Sequence, residues 1–184
     1  YNTASSPTLT NVVFSQNFAI YGAGIYNESS SAATLTNVTL LQNEASLQGG
    51  ALYSSGAAIT TLYNTLFYGN NASTGGPDIF GPAIHSNSTN NASDGTGSGI
   101  GTSTNFVALT SDPFVNINDH AGADGVFGTL DDGLYVTGSS GLIGSGLAVV
   151  GSPVNDIVGT IRLSSPSIGA YEDSPQEIVV EGNN

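Results

Sequence analysis

The sequence predicts an all-β solenoid, a fold in which short strands wind into coils that stack on one another. The stretch TLTNVVFSQN that begins at Thr8 returns as TLTNVTLLQN at Thr34 and as TLYNTLFYGN at Thr61, a repeat of about 26 residues. Within each copy, apolar and polar residues alternate as in a strand, and Gly, Asn and Ser separate the strands. A repeat of this length without a helical period is typical of solenoids, in which each repeat forms one coil.

Two asparagine positions recur in every copy of the repeat. The first column is Asn11, Asn37 and Asn64, and the second is Asn17, Asn43 and Asn70. Equivalent residues of stacked coils lie above one another, so we expect each column to form a ladder of hydrogen-bonded side-chain amides. The alternative is that these asparagines are ordinary surface turn residues, since Asn tolerates left-handed backbone angles.

Several motifs carry a family resemblance beyond the repeat itself. GAGIYN, GGPDIFG, DPFVNINDHAGADGVFGTLDDGLYV and SPSIGAYE occur in this order, the last with Ser167 where Asp is usual. Together they resemble the polymorphic outer-membrane protein repeats of bacterial surfaces and related β-helix proteins secreted by Bacteroidetes. The resemblance implies a right-handed parallel β-helix with irregular C-terminal coils. It implies little about function, because this architecture hosts adhesins, lyases and inert stalks.

Composition changes along the chain indicate four sections. Residues 1–81 hold the regular coils, and residues 82–105 form a stretch rich in Ser, Asn and Gly that we expect to be a surface loop. Residues 106–173 are expected to form irregular coils that include an acidic loop. Residues 174–184 are expected to form a tail or linker strand. The chain opens in the middle of a repeat, which suggests a piece of a longer protein.

The charge balance excludes several classes of partner. The chain has 14 acidic residues against one basic residue, Arg162, and a net charge of −13. Nucleic acids and anionic membrane surfaces require a basic footprint, so we expect neither as a partner. No stretch is long enough for membrane insertion. The absence of Cys rules out a disulfide framework, and the composition suits an extracellular or cell-surface protein.

An acidic loop is the candidate metal site. Asp119, Asp124, Asp131 and Asp132 alternate with glycines in DHAGADGVFGTLDDG. Carboxylates on a tight, Gly-rich loop are the ligands that Ca²⁺ prefers, although the spacing differs from that of an EF-hand. The resemblance adds support, because the matching loops of that family look like calcium sites. The alternative is a solvated acidic turn.

No catalytic residue is assigned from the sequence. A polysaccharide-cleaving lyase or hydrolase would need clustered carboxylates with a basic residue, and Arg162 is the sole candidate for such a base. His120, beside the acidic loop, is expected to be a loop residue rather than a base or a metal ligand. Ice binding is a further alternative, because threonines such as Thr8, Thr34 and Thr61 repeat along the coils.

The sequence therefore favours a non-catalytic module of a secreted or cell-surface protein, with a structural or adhesive role. The end coils of a solenoid expose unpaired strand edges, and head-to-tail contacts between such ends would build an open filament. The uncapped first coil is explained either by further protein ahead of it or by a second copy, in which case end-to-end stacking would give a homo-polymer. A glycan or a surface receptor is a further candidate partner. The main alternative is a β-helix that binds or cleaves polysaccharides.

Overall fold

The computed structural model describes residues 1–82, 84–95 and 103–173, and that part of the chain contains thirteen short strands and no helix. The described residues thus include no helix that is long and apolar enough to cross a membrane. The strands are β1 (Asn2–Thr3), β2 (Thr8–Ser15), β3 (Phe18–Tyr21), β4 (Ile25–Glu28), β5 (Thr34–Leu41), β6 (Glu44–Gln48), β7 (Leu52–Ser54), β8 (Thr61–Tyr63), β9 (Leu66–Tyr68), β10 (Asn71–Ala72), β11 (Ile79–Phe80), β12 (Ala92–Ser93) and β13 (Val107–Ala108).

Three parallel sheets run along the stack. The first sheet has the order β1-β4-β7-β11, the second β3-β6-β10, and the third β2-β5-β9-β12-β13 with β8 also paired to β5. Each strand pairs with the equivalent strand of the next coil, so that Thr8, Thr34 and Thr61 lie in one register column. The stack makes about four turns. The predicted all-β parallel β-helix is confirmed.

The interior of the coils is an apolar core. Phe14, Leu40 and Phe67 occupy the same register position in successive coils. Leu40 and Phe67 are fully buried, whereas Phe14, in the first coil, is only partly buried. The buried members of this inner core are Ile25, Ala33, Leu35, Val38, Leu40, Ala51, Leu52, Leu62, Phe67 and Ile79.

A second core lies on the outer face of the third sheet. Leu41 and Leu66 of this sheet pack in one buried cluster with Leu134, Ile168 and Tyr171 from the C-terminal part of the chain. Residues 109–173 contain turns and isolated bridges but no named strand, and we call them the outer layer. The irregular C-terminal coils expected from the sequence thus take the form of a layer against the third sheet.

The stretch from residue 82 to residue 105 contributes to the stack. Ala92 and Ser93 pair with Leu66 and Phe67 of β9, and Ala92 is fully buried. The sequence did not predict this strand, because it has only two residues and the serine- and asparagine-rich composition around it is typical of a loop. Residues 83 and 96–102 of the expected surface loop, and the expected tail from residue 174 onward, lie outside the described residues.

The register column of the inner core yields a stability prediction. We expect Phe67→Ala to lower the free energy of unfolding by about 3–5 kcal/mol, because it leaves a cavity in the fully buried core between coils. The same change at Phe14 should cost clearly less, since water already reaches that ring. Denaturant unfolding of both variants measures the difference, and equal losses would contradict the described packing.

Candidate functional site

The first asparagine column has left-handed backbone angles throughout. The φ angles are 52° for Asn11, 53° for Asn37 and 49° for Asn64. Asn90 and Asn105 share this conformation, with φ of 54° and 53°, and extend the column to five members. Asn adopts this conformation at little cost, so a bend recurs at the same place in each coil. The bend turns the side chains of the column toward the outer layer.

The first column holds the outer layer on the coils. The Asn64 side chain pairs with the backbone of Leu147 through two hydrogen bonds of 2.8 Å, one donated and one accepted. Asn64 Nδ2 also donates to Asn37 Oδ1 at 2.8 Å. The other contacts are Asn11 Nδ2 to Asn155 O and Asn90 Nδ2 to Ser145 O, both at 2.7 Å. Most side chains of the column therefore hydrogen-bond the backbone of residues 145–155 in the outer layer, and only Asn37 and Asn64 form the close amide pair expected of a ladder.

The second column forms a directional chain of side-chain amides. Asn17 Nδ2 donates to Asn43 Oδ1 at 2.8 Å, and Asn43 Nδ2 donates to Asn70 Oδ1 at 3.0 Å. Asn70 Nδ2 in turn donates to Asp78 Oδ1 at 2.9 Å. Asn43 and Asn70 are buried. We call Asn17, Asn43, Asn70 and Asp78 the amide chain.

Asp78 is the last acceptor of the amide chain, and its carboxyl group is buried. It is fully buried, and its Oδ2 accepts a hydrogen bond of 2.5 Å from Ser93 Oγ. Burial raises the pKa of Asp78 from 3.8 to about 6, and Asp94 adds to this effect, while the bonds from Ser93 and Asn70 act in the opposite direction. The one ion pair found among the described residues lies elsewhere, so no cation offsets the charge of Asp78.

The single basic residue, Arg162, is part of the outer layer. Its guanidinium forms an ion pair of 2.7 Å with Glu172, and both side chains are almost completely buried. It also donates to Asn11 Oδ1 at 3.1 Å and to the carbonyls of Gly169 and Ala170 at 3.1 and 2.9 Å. Burial lowers the pKa of Arg162, although Glu172 opposes that shift. The guanidinium therefore joins the outer layer to the first coil, which leaves little of it to bind a sugar acid.

The acidic loop is closed by its own hydrogen bonds. Asp132, which is buried, accepts from Tyr171 Oη at 2.5 Å and from the Thr129 amide at 3.3 Å. Asp131 accepts from Thr129 Oγ1 at 2.7 Å and from the Asp124 amide at 3.1 Å. The bond from Thr129 is the main cause that lowers the pKa of Asp131. Three of the four predicted metal ligands thus lie in one compact loop and bind protein donors there.

The fit of this loop to a metal ion is limited by these bonds. Among the described residues, no group of three or more acidic or histidine side chains is arranged to hold a metal. Asp119 contributes its backbone carbonyl, which accepts from the Gly133 amide at 3.1 Å. His120 is buried, and burial lowers its pKa, as for a neutral loop residue. The calcium site stays a prediction.

The outward face of the first sheet carries a column of aromatic rings. Tyr1, Tyr26, Tyr53 and Phe80 stack with centroid distances of 5.1, 4.9 and 5.5 Å and interplanar angles of 18°, 24° and 8°. Tyr21, from the second sheet, packs against Tyr53 at 5.1 Å with its ring tilted by 50°. We call these five residues the aromatic column. Stacked rings cover one another's faces, so the column is poorly suited to bind sugar rings by stacking.

The repeated threonines lie beside a groove rather than on a flat open face. The in-register column of Thr10 and Thr36 continues as Tyr63, and Thr36 is buried. The groove is formed together with residues 149–152 of the outer layer. This arrangement gives the ice-binding alternative little support, because a regular threonine array would have to be exposed.

No known protein family, curated protein or solved structure matches this chain. The sequence had singled out the two asparagine columns, Arg162 and the acidic loop. It had not singled out Asp78 at the end of the amide chain or the stacking of the aromatic column, for which the spacing of Tyr1, Tyr26 and Tyr53 was the available signal.

Burial of Asp78 predicts a stability that depends on pH. Its raised pKa means that the folded state binds this proton more tightly, so the contribution is complete below pH 4 and declines as the pH rises to about 6. The difference between the two pKa values corresponds to roughly 3 kcal/mol. We expect Asp78→Asn to remove this decline and to be the more stable protein at pH 7. Urea unfolding between pH 4 and 7 measures it.

Asp112→Asn is the matched control for Asp78→Asn, because Asp112 is exposed and its carboxylate accepts one backbone amide, that of Phe114. This variant should keep the pH dependence of the parent protein. A pH dependence that survives in Asp78→Asn would show that other groups cause it.

The calcium prediction is checked by thermal melting in calcium and in excess chelator. An ion that binds only the folded chain must raise the melting temperature, by an amount that grows with the concentration of free calcium. Asp131→Asn should remove that rise if the loop holds the ion. Identical melting curves with calcium and with chelator would count against the site.

Proposed function

We propose that this chain is a non-catalytic β-helix module of a secreted or cell-surface bacterial protein, with a structural or adhesive role. The resemblance of its repeats to bacterial surface proteins supports this assignment. In this role the stacked coils are a stiff rod, and their lateral faces are presented to a glycan or to a surface receptor. The core shared with the outer layer includes coil residues of the third sheet only. The first two sheets are therefore the lateral faces of the rod, and the first carries Glu28 and the aromatic column.

The observation that carries the proposal is the use of the reactive side chains for internal bonding. Among the described residues, each of the four buried acidic groups accepts hydrogen bonds from protein donors; these groups are Asp78, Asp132, Asp156 and Glu172. Arg162 is bound to Glu172 and to backbone carbonyls. These side chains stabilise the fold, whereas a hydrolase or a lyase needs such groups at the wall of a groove, where they can contact the substrate.

The alternative is a β-helix that cleaves or binds acidic polysaccharides. A lyase would use Arg162 as its base, but this guanidinium is charged and almost completely buried beside Glu172. A base must accept a proton, and a guanidinium is already protonated at any pH at which the protein is folded. The net charge of −13 also repels acidic sugars.

End-to-end stacking is the assembly mode that we propose for this module. In the described residues, β1, β2 and β3 each have a partner strand on one side only, and so do β10, β11 and β13 at the other end. At the first coil, Leu9, Val12 and Phe14 of the inner core are only partly buried. Strand edges and apolar side chains at such an end are satisfied when the opposite end of a second copy covers them.

Sedimentation velocity over a wide concentration range tests the assembly, together with electron microscopy of the same samples. We expect elongated oligomers that grow with concentration. Phe14→Glu should abolish them, because it places a carboxylate in the apolar end of the inner core. Thr8→Glu is the matched control, since it adds the same charge at an exposed position of the same strand and should leave the oligomers intact.

A parent protein that stays monomeric at every concentration would overturn end-to-end stacking. Oligomers that are equally abundant in Phe14→Glu and in the parent protein would show that another surface forms the contact. Release of unsaturated sugar from an acidic polysaccharide by the purified protein would favour the lyase alternative instead.

A further inference from the structure

The composition of the chain directs one-electron oxidation to tyrosine. The full sequence contains no Cys, no Met and no Trp, which are the side chains that oxidants usually attack first. It contains eight tyrosines, and four of them lie together in the aromatic column. A tyrosine oxidised there has other phenol rings within contact distance.

Two tyrosines of the column are exposed to an oxidant, and Tyr26 and Tyr53 are partly buried. Tyr1 and Tyr21 are 78% and 39% exposed, whereas Tyr135 and Tyr171 are almost completely buried in the outer layer. The Tyr1 hydroxyl donates a hydrogen bond to the Glu28 carboxylate. This carboxylate can accept the phenol proton when an electron leaves the ring, which makes Tyr1 an entry point for oxidation. Tyr26 and Tyr53 then follow in the stack, at about 5 Å per step.

We propose that Tyr21 and Tyr53 form an oxidative cross-linking site, at which a one-electron oxidant such as a peroxidase with hydrogen peroxide produces a dityrosine. Each phenol loses one electron and one proton, and the two radicals join through a carbon–carbon bond between ring positions next to the hydroxyl groups. The two ring hydrogens then move to the oxygens and restore both phenols. The two electrons and two protons reduce one hydrogen peroxide to two waters.

Ring orientation selects the Tyr21–Tyr53 pair. Tyr26 and Tyr53 are register partners on adjacent strands, and their rings lie nearly parallel at 24°. A carbon–carbon bond between two phenols requires the ring edges to meet, and face-to-face stacking keeps those edges apart. Tyr21 approaches Tyr53 from a different sheet and at a tilt of 50°, which brings an edge of one ring toward the other. Tyr21 also ends β3, just after a shift of register against β6, and its side chain is partly exposed to solvent.

The cross-link would join the first coil to the second, because Tyr21 belongs to β3 and Tyr53 to β7. In a chain without cysteine, this bond would act as a disulfide does, by restricting the unfolded state, and would hold the first coil on the second. A cross-linked protein is expected to melt at a higher temperature than the untreated protein.

The test treats the purified protein with a haem peroxidase and hydrogen peroxide at low protein concentration. We expect dityrosine fluorescence in a monomer that is lighter by two hydrogen atoms, and a peptic fragment in which Tyr21 is joined to Tyr53. Tyr53→Phe and Tyr21→Phe should each lose this product, because phenylalanine keeps the ring and lacks the phenol. Tyr63→Phe is the matched control outside the column and should retain it.

Circular dichroism of each variant establishes that the fold is intact before oxidation. Absence of an intramolecular product in the folded parent protein would overturn the proposal. So would a product that joins any other pair of tyrosines, or one that forms only between molecules.

Discussion

Parallel backbone hydrogen bonding between successive coils is the constraint on which the rest of the structure depends. It sets the coils about 4.8 Å apart, so each residue of one coil lies in contact with the equivalent residue of the next coil. Tyr26 and Tyr53 stack for this reason, and so do Leu40 and Phe67 in the inner core. Each outward or inward position of the repeat is thus a column of stacked side chains, so a substitution in one coil also affects the neighbouring coils.

The same spacing explains why the coils are nearly free of charge. Like charges in one column would repel at about 5 Å. Glu28 lies beside Thr3, and Glu44 lies between Phe18 and Asn71, so neither acid has a charged register partner. Asparagine fills the polar columns because one amide group both donates and accepts. It can therefore bond to a copy of itself, which a carboxylate cannot do.

The sequence was sufficient to predict the fold, because a repeat with fixed asparagines determines which residues stack. It was not sufficient to predict the continuation of the first column. Asn105 follows Asn90 by only 15 residues, so the period on which the alignment relied is lost there. The packing of the outer layer could not be predicted from the sequence either. The contact between Arg162 and Asn11 spans 151 positions of the chain, so no local sequence pattern indicates it. The acidic loop was recognised by composition, but composition does not show that Thr129 and Tyr171 occupy its carboxylates.

The amide chain has a direction, and this direction limits how such a rod can be lengthened. Asn17 and Asn43 each donate to the side-chain oxygen of the asparagine in the next coil, and Asn70 donates to Asp78 in its own coil. The series stops at Asp78, because an ionised carboxylate only accepts. A duplicated coil inserted ahead of Asn17 could supply an amide that donates to its oxygen and so prolong the series. A coil inserted beyond Asp78 would receive no hydrogen bond from it, because an ionised carboxylate has no proton to donate. Extension of the amide chain by duplication is therefore polar, since it can proceed ahead of Asn17 and not beyond Asp78.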